Sequence, residues 1–190
     1  MSFFRDQLED WLKQIPVEGG KVVDIGGAQL PVRGRTMSWN PASYVIWDLP
    51  QPHEEKERAT YGMDIQDPKA VDPTVHQFDI AFCLETAEYW WDPVTALKNI
   101  ARALRPGGTL YISFPQVYPA HKPIGCDFLR YTEEGARKLL EVAGFEIKEV
   151  RPRKARMPQA LIAFYSSDGM HPRRDDTIAH TGSLIIANKP

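Results

Sequence analysis

Residues 78–114 limit the folds open to this chain. Phe78-Asp79-Ile80-Ala81-Phe82-Cys83-Leu84 is a nearly continuous apolar run of strand length, as expected for a central strand covered on both faces. Asp92 and Pro93 then supply an N-cap and a first-turn proline. Val94, Leu97, Ile100, Ala101 and Leu104 recur at helical spacing, and Arg105-Pro106-Gly107-Gly108 stops the helix before the next apolar run, 109–114. Strand, helix, turn and strand in that order form a parallel crossover unit, the building block of an α/β fold.

The same pattern is legible on either side. Phe3, Phe4, Leu8, Trp11, Leu12 and Ile15 predict an amphipathic lead-in helix stopped by Pro16. Lys21-Val22-Val23-Asp24-Ile25 predicts a strand entering a turn at Gly26-Gly27. Residues 28–43 carry Pro31, Gly34 and Pro41, which leave room for at most a short or broken helix. Further strands are predicted at 44–47, ending on Asp48, and at 60–63, ending on Asp64, with the polar segment 50–58 exposed between them. Thr132, followed by Glu133 and Glu134, caps a helix over 132–143 that Gly144 ends. Strands are predicted at 145–150 and 183–187, with 151–181 irregular. The outcome is a doubly wound, mostly parallel sheet of seven strands.

At 190 residues, one domain is expected. A net charge of -2 gives no overall pull toward nucleic acid or an anionic membrane. Cys83 and Cys126 are the two cysteines, far apart and without neighbouring histidines at ligand spacing, so neither a disulfide framework nor a metal site is expected. No apolar run reaches membrane-spanning length, and the first residues lack a signal-peptide core, which makes the cytoplasm the expected compartment.

Three predicted strands end on acids or glycines: Asp24 with Gly26 and Gly27, then Asp48, then Asp64. In an open parallel sheet such ends line one edge, where ligands bind. Glycine lets backbone approach a ligand, and a carboxylate can accept from both hydroxyls of a ribose. An adenine amino group is a fitting donor for Asp64. Each acid also has a plain structural use as a turn former. Gly26-Gly27-Ala28 does not complete G-x-G-x-x-G, so a phosphate-free nucleoside fits better than a dinucleotide, and a nicotinamide-dependent oxidoreductase is the weaker reading.

Val22-Val23-Asp24-Ile25-Gly26-Gly27, the run from Phe78 to Tyr89 followed by Asp92-Pro93, and Leu104-Arg105-Pro106-Gly107-Gly108-Thr109-Leu110 together resemble the class I S-adenosylmethionine-dependent methyltransferases. The nearest type is the small bacterial single-domain one, methyltransferase type 11-like. The stretch from Cys126 to Thr132, with Ala143-Gly144-Phe145, is similar to the "D-x-x-R-x-T … A-G-F" region of the same subgroup. The resemblance implies a Rossmann-like sheet with its last strand antiparallel and S-adenosyl-L-methionine as cofactor. It implies Asp24, Gly26 and Gly27 around the methionine part, Asp48 at the ribose, Asp64 and Ile65 at the adenine, and Leu84 and Glu85 beneath the sulfonium. Residues 1–16 are then the lead-in helix, 20–115 the cofactor-binding half and 116–190 the acceptor-side half. Ala28 stands where the pattern has its second glycine, and Tyr89 where a histidine is common. These departures support the alternative, a methyltransferase-like protein that binds partners without catalysis.

Methyl transfer needs alignment above all, and a base only where the acceptor carries a proton to lose. His121, in the Pro-rich loop after the fifth strand, is the expected catalytic base, ahead of Tyr118, Glu88 and Tyr89. Asp127 and Arg130 are expected to pair and fix that loop. Tyr89-Trp90-Trp91 suits either a flat acceptor or core packing, while Trp39 and Trp47 are read as packing. The basic run Arg151, Arg153, Lys154, Arg156, with Arg173 and Arg174, is read as solvated. Otherwise it would attract a phosphorylated acceptor such as a nucleotide sugar. The expected partner is a small-molecule or glycan-precursor acceptor, with no membrane and no nucleic acid.

Overall fold

The computed structural model describes residues 2–70, 75–167 and 179–190. Ser2 caps helix α1 (Phe3–Leu12), whose Leu8, Trp11 and Leu12 turn one face inward. After it come β1 (Pro16–Glu18), β2 (Lys21–Ile25), β3 (Ser38–Asn40), β4 (Ser43–Asp48), β5 (Tyr61–Gly62) and β6 (Phe78–Cys83). A single 3-10 turn (Ala87–Tyr89) leads to α2 (Pro93–Ala103), with Asp92 accepting from the Thr95 amide as expected of its N-cap. The chain continues through β7 (Leu104–Pro115), α3 (Glu133–Val142), β8 (Glu146–Lys154), α4 (Pro158–Ser167) and β9 (His180–Asn188).

Seven strands form one sheet in the order β5-β4-β2-β6-β7-β9-β8. The first five run parallel, and β9 lies antiparallel between β7 and β8. Side chains alternate between the faces. Val23, Ile25, Ala81 and Cys83 pack with Leu97 and Ile100 of α2 and Leu140 of α3 on one face. Val22 and Phe82 pack with Leu8, Trp11 and Leu12 of α1, together with Val17 and Val32, on the other.

The second face departs from a doubly wound pattern. No helix connects β2 to β4, in keeping with the prolines of 28–43. Instead, β1 and β3 make a small parallel ladder that, with α1, helps cover the sheet. Neither of those strands is evident in the sequence. The chain after Pro16 resumes as a strand because proline halts a helix but tolerates the first position of an edge strand.

Two expectations need correction. The strand expected at 109–114 begins at Leu104, because Gly107 (φ 78) and the Gly107 and Lys189 amide bonds let the Arg105-Pro106-Gly107-Gly108 turn run along the end of β9. The stretch 151–181 is not irregular throughout. The eighth strand extends to Lys154, α4 follows, and β9 already begins at His180. Arg173 and Arg174 lie outside the described residues.

Candidate cofactor and acceptor cleft

The parallel strands β2, β4, β5 and β6 all end on the same edge of the sheet, and a cleft of about 740 Å³ opens there, within the usual range for small-molecule sites. Its walls include Gly26, Asp48, Asp64, Ile65 and Glu85 from the expected set, together with Trp47, Met63 and Gln66. Tyr89, Trp91, Lys122, Ile124, Cys126 and Phe128 line the same cleft. Trp91, Ile124 and Phe128 are exposed, so large apolar side chains cluster at the rim of this cleft.

Asp24 lies elsewhere. It shares a face with Val22, not with the strand edge, and its Oδ2 accepts from the Val32 amide at 2.7 Å and the Tyr44 hydroxyl at 2.8 Å. Burial raises its pKa to about 6 against these two hydrogen bonds. The carboxyl sits under the glycine turn, where a Cβ on Gly27 would come within 2.5 Å of it. Neither Asp24 nor Gly27 lines the cleft. Gly26 does. Its φ of 74° is in the left-handed region, and a Cβ there would strike the Thr86 side chain.

Asp48 is held by backbone on both sides. Its Oδ2 accepts from the Ala28 amide at 2.9 Å and its Oδ1 from the Leu49 amide at 2.8 Å. Each oxygen keeps a further lone pair for a hydroxyl donor in the cleft. Asp64 folds into an Asx turn in which Oδ1 accepts from the Gln66 amide at 2.9 Å. Gln66 in turn accepts from the Trp91 and Asp92 amides, tying the Asp64 wall to the aromatic rim. Trp47 is a wall as well as a packing residue, its indole donating to the Met63 carbonyl at 2.9 Å. Gly26 and the two carboxylates therefore present close backbone and hydrogen-bond acceptors to one cleft.

Beyond β6 the chain makes a strained step at Glu85, a non-glycine residue at φ 53°. Its amide donates to Ser113 Oγ at 2.7 Å, and its Oε1 accepts from that hydroxyl at 2.8 Å. Arg153 donates to the same carboxylate at 2.6 Å. Burial opposes the charge, but the Arg153 guanidinium and the Ser113 hydroxyl hold the carboxyl below its ordinary pKa. Leu84 turns away from the cleft, into the cluster under α1. Arg153 is fully buried, contrary to the expectation of a solvated basic run. It was missed because its partner lies 68 positions away and its neighbours Arg151, Lys154 and Arg156 resemble an ordinary charged surface.

His121 packs against Tyr118 and Tyr89, with ring centroids 4.5 and 5.9 Å apart. Tyr89 and Lys122 are cleft walls; His121 adjoins both but does not itself line the cleft. Burial lowers the imidazole pKa, in opposition to the Asp127 and Glu85 charges. Asp127 and Arg130 form the expected pair, in a two-pronged clasp of 2.5 and 2.6 Å, and Arg130 also donates to the Tyr118 and Pro119 carbonyls. This clasp fixes the loop that carries His121.

A sheet of this order with a nucleoside-sized cleft at its carboxyl edge defines a Rossmann-like α/β protein. Residues 50–112 match the methyltransferase domain family. Over 107 residues the chain is 28% identical to the ubiquinone biosynthesis O-methyltransferase of Coxiella burnetii, covering 53% of this chain and 46% of that protein. The chain thus spans about half the length of the curated relatives it matches. A Bacillus halodurans methyltransferase structure superposes with a TM-score of 0.65 at 18% identity, covering 97% of this chain and 98% of that one. The 1,6-didemethyltoxoflavin-N1-methyltransferase of Burkholderia thailandensis, solved with 1,6-didemethyltoxoflavin and S-adenosylhomocysteine, gives 0.61 at 17% identity over 99% and 78%. The chain has the fold of the class I S-adenosylmethionine-dependent methyltransferases, and the match to the methyltransferase domain family falls on its central strands.

Proposed function

We propose that this protein transfers a methyl group from S-adenosylmethionine to a small acceptor with a flat, apolar body. One observation carries the reading: a single cleft is lined both by Gly26, Asp48 and Asp64 and by the exposed rings of Trp91 and Phe128 with Tyr89. When bound, S-adenosylmethionine supplies an electrophilic methyl group whose neutral thioether needs no acid to leave.

Asp48 accepts from the ribose hydroxyls, Asp64 accepts from the adenine amino group, and Ile65 packs against the ring. Gly26 admits the methionine part. Asp24 and Gly27 act on that part only through the turn they brace. Glu85, fixed by Arg153, forms the floor near the reacting centre, and Leu84 only supports it from the cluster under α1. The aromatic rim stacks the acceptor and excludes water from it. A flat ring is a better match for that rim than the glycan or nucleotide-sugar precursor also expected from the sequence, because the buried Arg153 is not available to a phosphate. Relatives named for ubiquinone biosynthesis and for 1,6-didemethyltoxoflavin point the same way. For an acceptor with a hydroxyl or protonated amine, His121, which adjoins the cleft walls Tyr89 and Lys122, takes the proton when the acceptor reaches past the Tyr89 ring.

Titration calorimetry with S-adenosylmethionine, S-adenosylhomocysteine and NAD tests the reading. Binding of the first two and not of NAD is expected. No measurable binding of either would overturn it.

A further inference from the structure

The 3-10 turn after β6 and the loop 116–131 press two ionisable groups together behind the aromatic rim. Glu88 is 1% exposed, and neither of its carboxyl oxygens has a hydrogen-bond partner among the described residues. His121 Nδ1 lies 3.4 Å from Glu88 Oε1 and is likewise buried without a partner. Asp127 Oδ2 is 3.8 Å from the same nitrogen, but that carboxylate is already engaged by Arg130 and by the His121 amide. Glu88 is therefore the group left to complete Nδ1. A slight rotation of either side chain closes the bond.

The bond can be made in two ways. A neutral imidazole carries one N–H and one bare nitrogen, while a carboxyl donates when protonated and accepts when ionised. We propose that Glu88 is a positioning residue that selects the tautomer of His121, and thereby decides whether Nε2 can take a proton from the acceptor. The proposal rests on the methyl-transfer reading. With Glu88 protonated, its O–H donates to Nδ1, the ring proton sits on Nε2, and the base is blocked. With Glu88 ionised, Nδ1–H donates to the carboxylate and Nε2 presents its lone pair. Passing from the first state to the second releases one proton to solvent and leaves the ring neutral throughout.

The surroundings set where this occurs. Burial, then the charges of Glu85 and Asp127, raise the Glu88 carboxyl to about 8, with Arg130 opposing them. Cys83, Tyr89 and Tyr131, which also face Glu88, are all raised by burial and stay uncharged through that range. His121 is held below its ordinary value and does not become imidazolium in competition. The blocked and open forms thus exchange just above neutrality.

Long-range proton–nitrogen NMR of the ¹⁵N-labelled full chain reads the tautomer directly. The chain has five histidines, and a His121→Asn variant assigns the signal. Between pH 6.5 and 9.5, His121 in the unaltered protein is expected to pass from the Nε2–H to the Nδ1–H form with a midpoint near the Glu88 value. Glu88→Gln, nearly the same shape, should hold one tautomer across the range. A single tautomer in the unaltered protein would overturn the proposal, as would an unchanged transition in Glu88→Gln. The unaltered protein alone suffices if the variant does not fold. The readout needs no acceptor, so its failure is distinct from failure to bind S-adenosylmethionine. A tautomer change without cofactor binding would remove the catalytic half of the proposal.

Discussion

Arg153 and Glu85 form an ion pair at 2.6 Å in which the guanidinium is wholly shielded from solvent. The pair ties β8 to the strained residue after β6, and its outer side is closed by α1: Arg153 Nη2 donates to the Phe4 carbonyl at 2.9 Å, and the Phe4 ring lies 3.3 Å from the guanidinium carbon. Removing one partner leaves a buried charge uncompensated, a loss of about 3–5 kcal/mol. Arg153→Met should destabilise the protein by that order in chemical denaturation. Adding Glu85→Gln should recover part of the loss, giving a double-mutant effect smaller than the sum.

The glycine turn tolerates no side chain, for two separate reasons. Gly27→Ala puts a methyl against the Asp24 carboxyl, and Gly26→Ala both strikes Thr86 and occupies φ 74°. Each should lower the thermal midpoint, with roughly 1–3 kcal/mol from the backbone conformation alone at Gly26. Thr86→Ala, which removes the Oγ1 and Cγ2 that the new methyl meets, should not restore Gly26→Ala fully, because the left-handed conformation remains. Full recovery in a thermal scan would assign the whole cost to the clash.

Asp48→Ala should weaken S-adenosylhomocysteine binding by roughly 1–3 kcal/mol, as expected when donors lose a buried acceptor. Calorimetry provides the check. An unchanged affinity would move the ribose elsewhere in the cleft.

Trp91→Ala and Phe128→Ala should raise KM for an aromatic acceptor while leaving S-adenosylhomocysteine affinity unchanged, since both side chains stand at the exposed rim. A parallel loss of cofactor affinity would place those rings at the adenosyl group instead. Steady-state kinetics beside calorimetry separates the two.

Stability should fall with rising pH between about 4 and about 8. Asp24 at about 6 and Glu88 at about 8 both bind protons more tightly folded than unfolded. Their contribution is complete below the unfolded carboxyl values near 4 and is lost as pH rises through the folded ones, at ~1.4 kcal/mol per unit for each group. Asp127, held low chiefly by the Arg130 hydrogen bond, acts in the opposite sense, below its ordinary value. Glu88→Gln should flatten the upper part of this slope in denaturant titrations at several pH values.

Residues whose positions follow from strand order are legible in the sequence. The strand ends at Asp48 and Asp64 and the α2 cap at Asp92 rest on local periodicity, which the chain displays openly. Asp24 was placed at the edge because it stands at the end of a strand. Alternation sends it instead to the face of Val22, toward Tyr44 and Val32. Ala28 looked like a damaged glycine, but it does not have a positive φ, and its amide serves by holding Asp48. The contacts between Arg153 and Glu85 and between His121 and Glu88 join residues on separate elements. No spacing rule reports such pairs before the sheet is assembled. Helix α4 gave no signal because it has no buried face to impose a period.

The Ala155 amide donates to the Ala179 carbonyl at 2.8 Å, just beyond the end of β8 and just before the start of β9. Those two strands are already antiparallel neighbours, so everything between residues 155 and 179 is grafted onto what is otherwise a hairpin. The length of chain between those two positions can therefore vary without disturbing the strand register or the Arg153 pair.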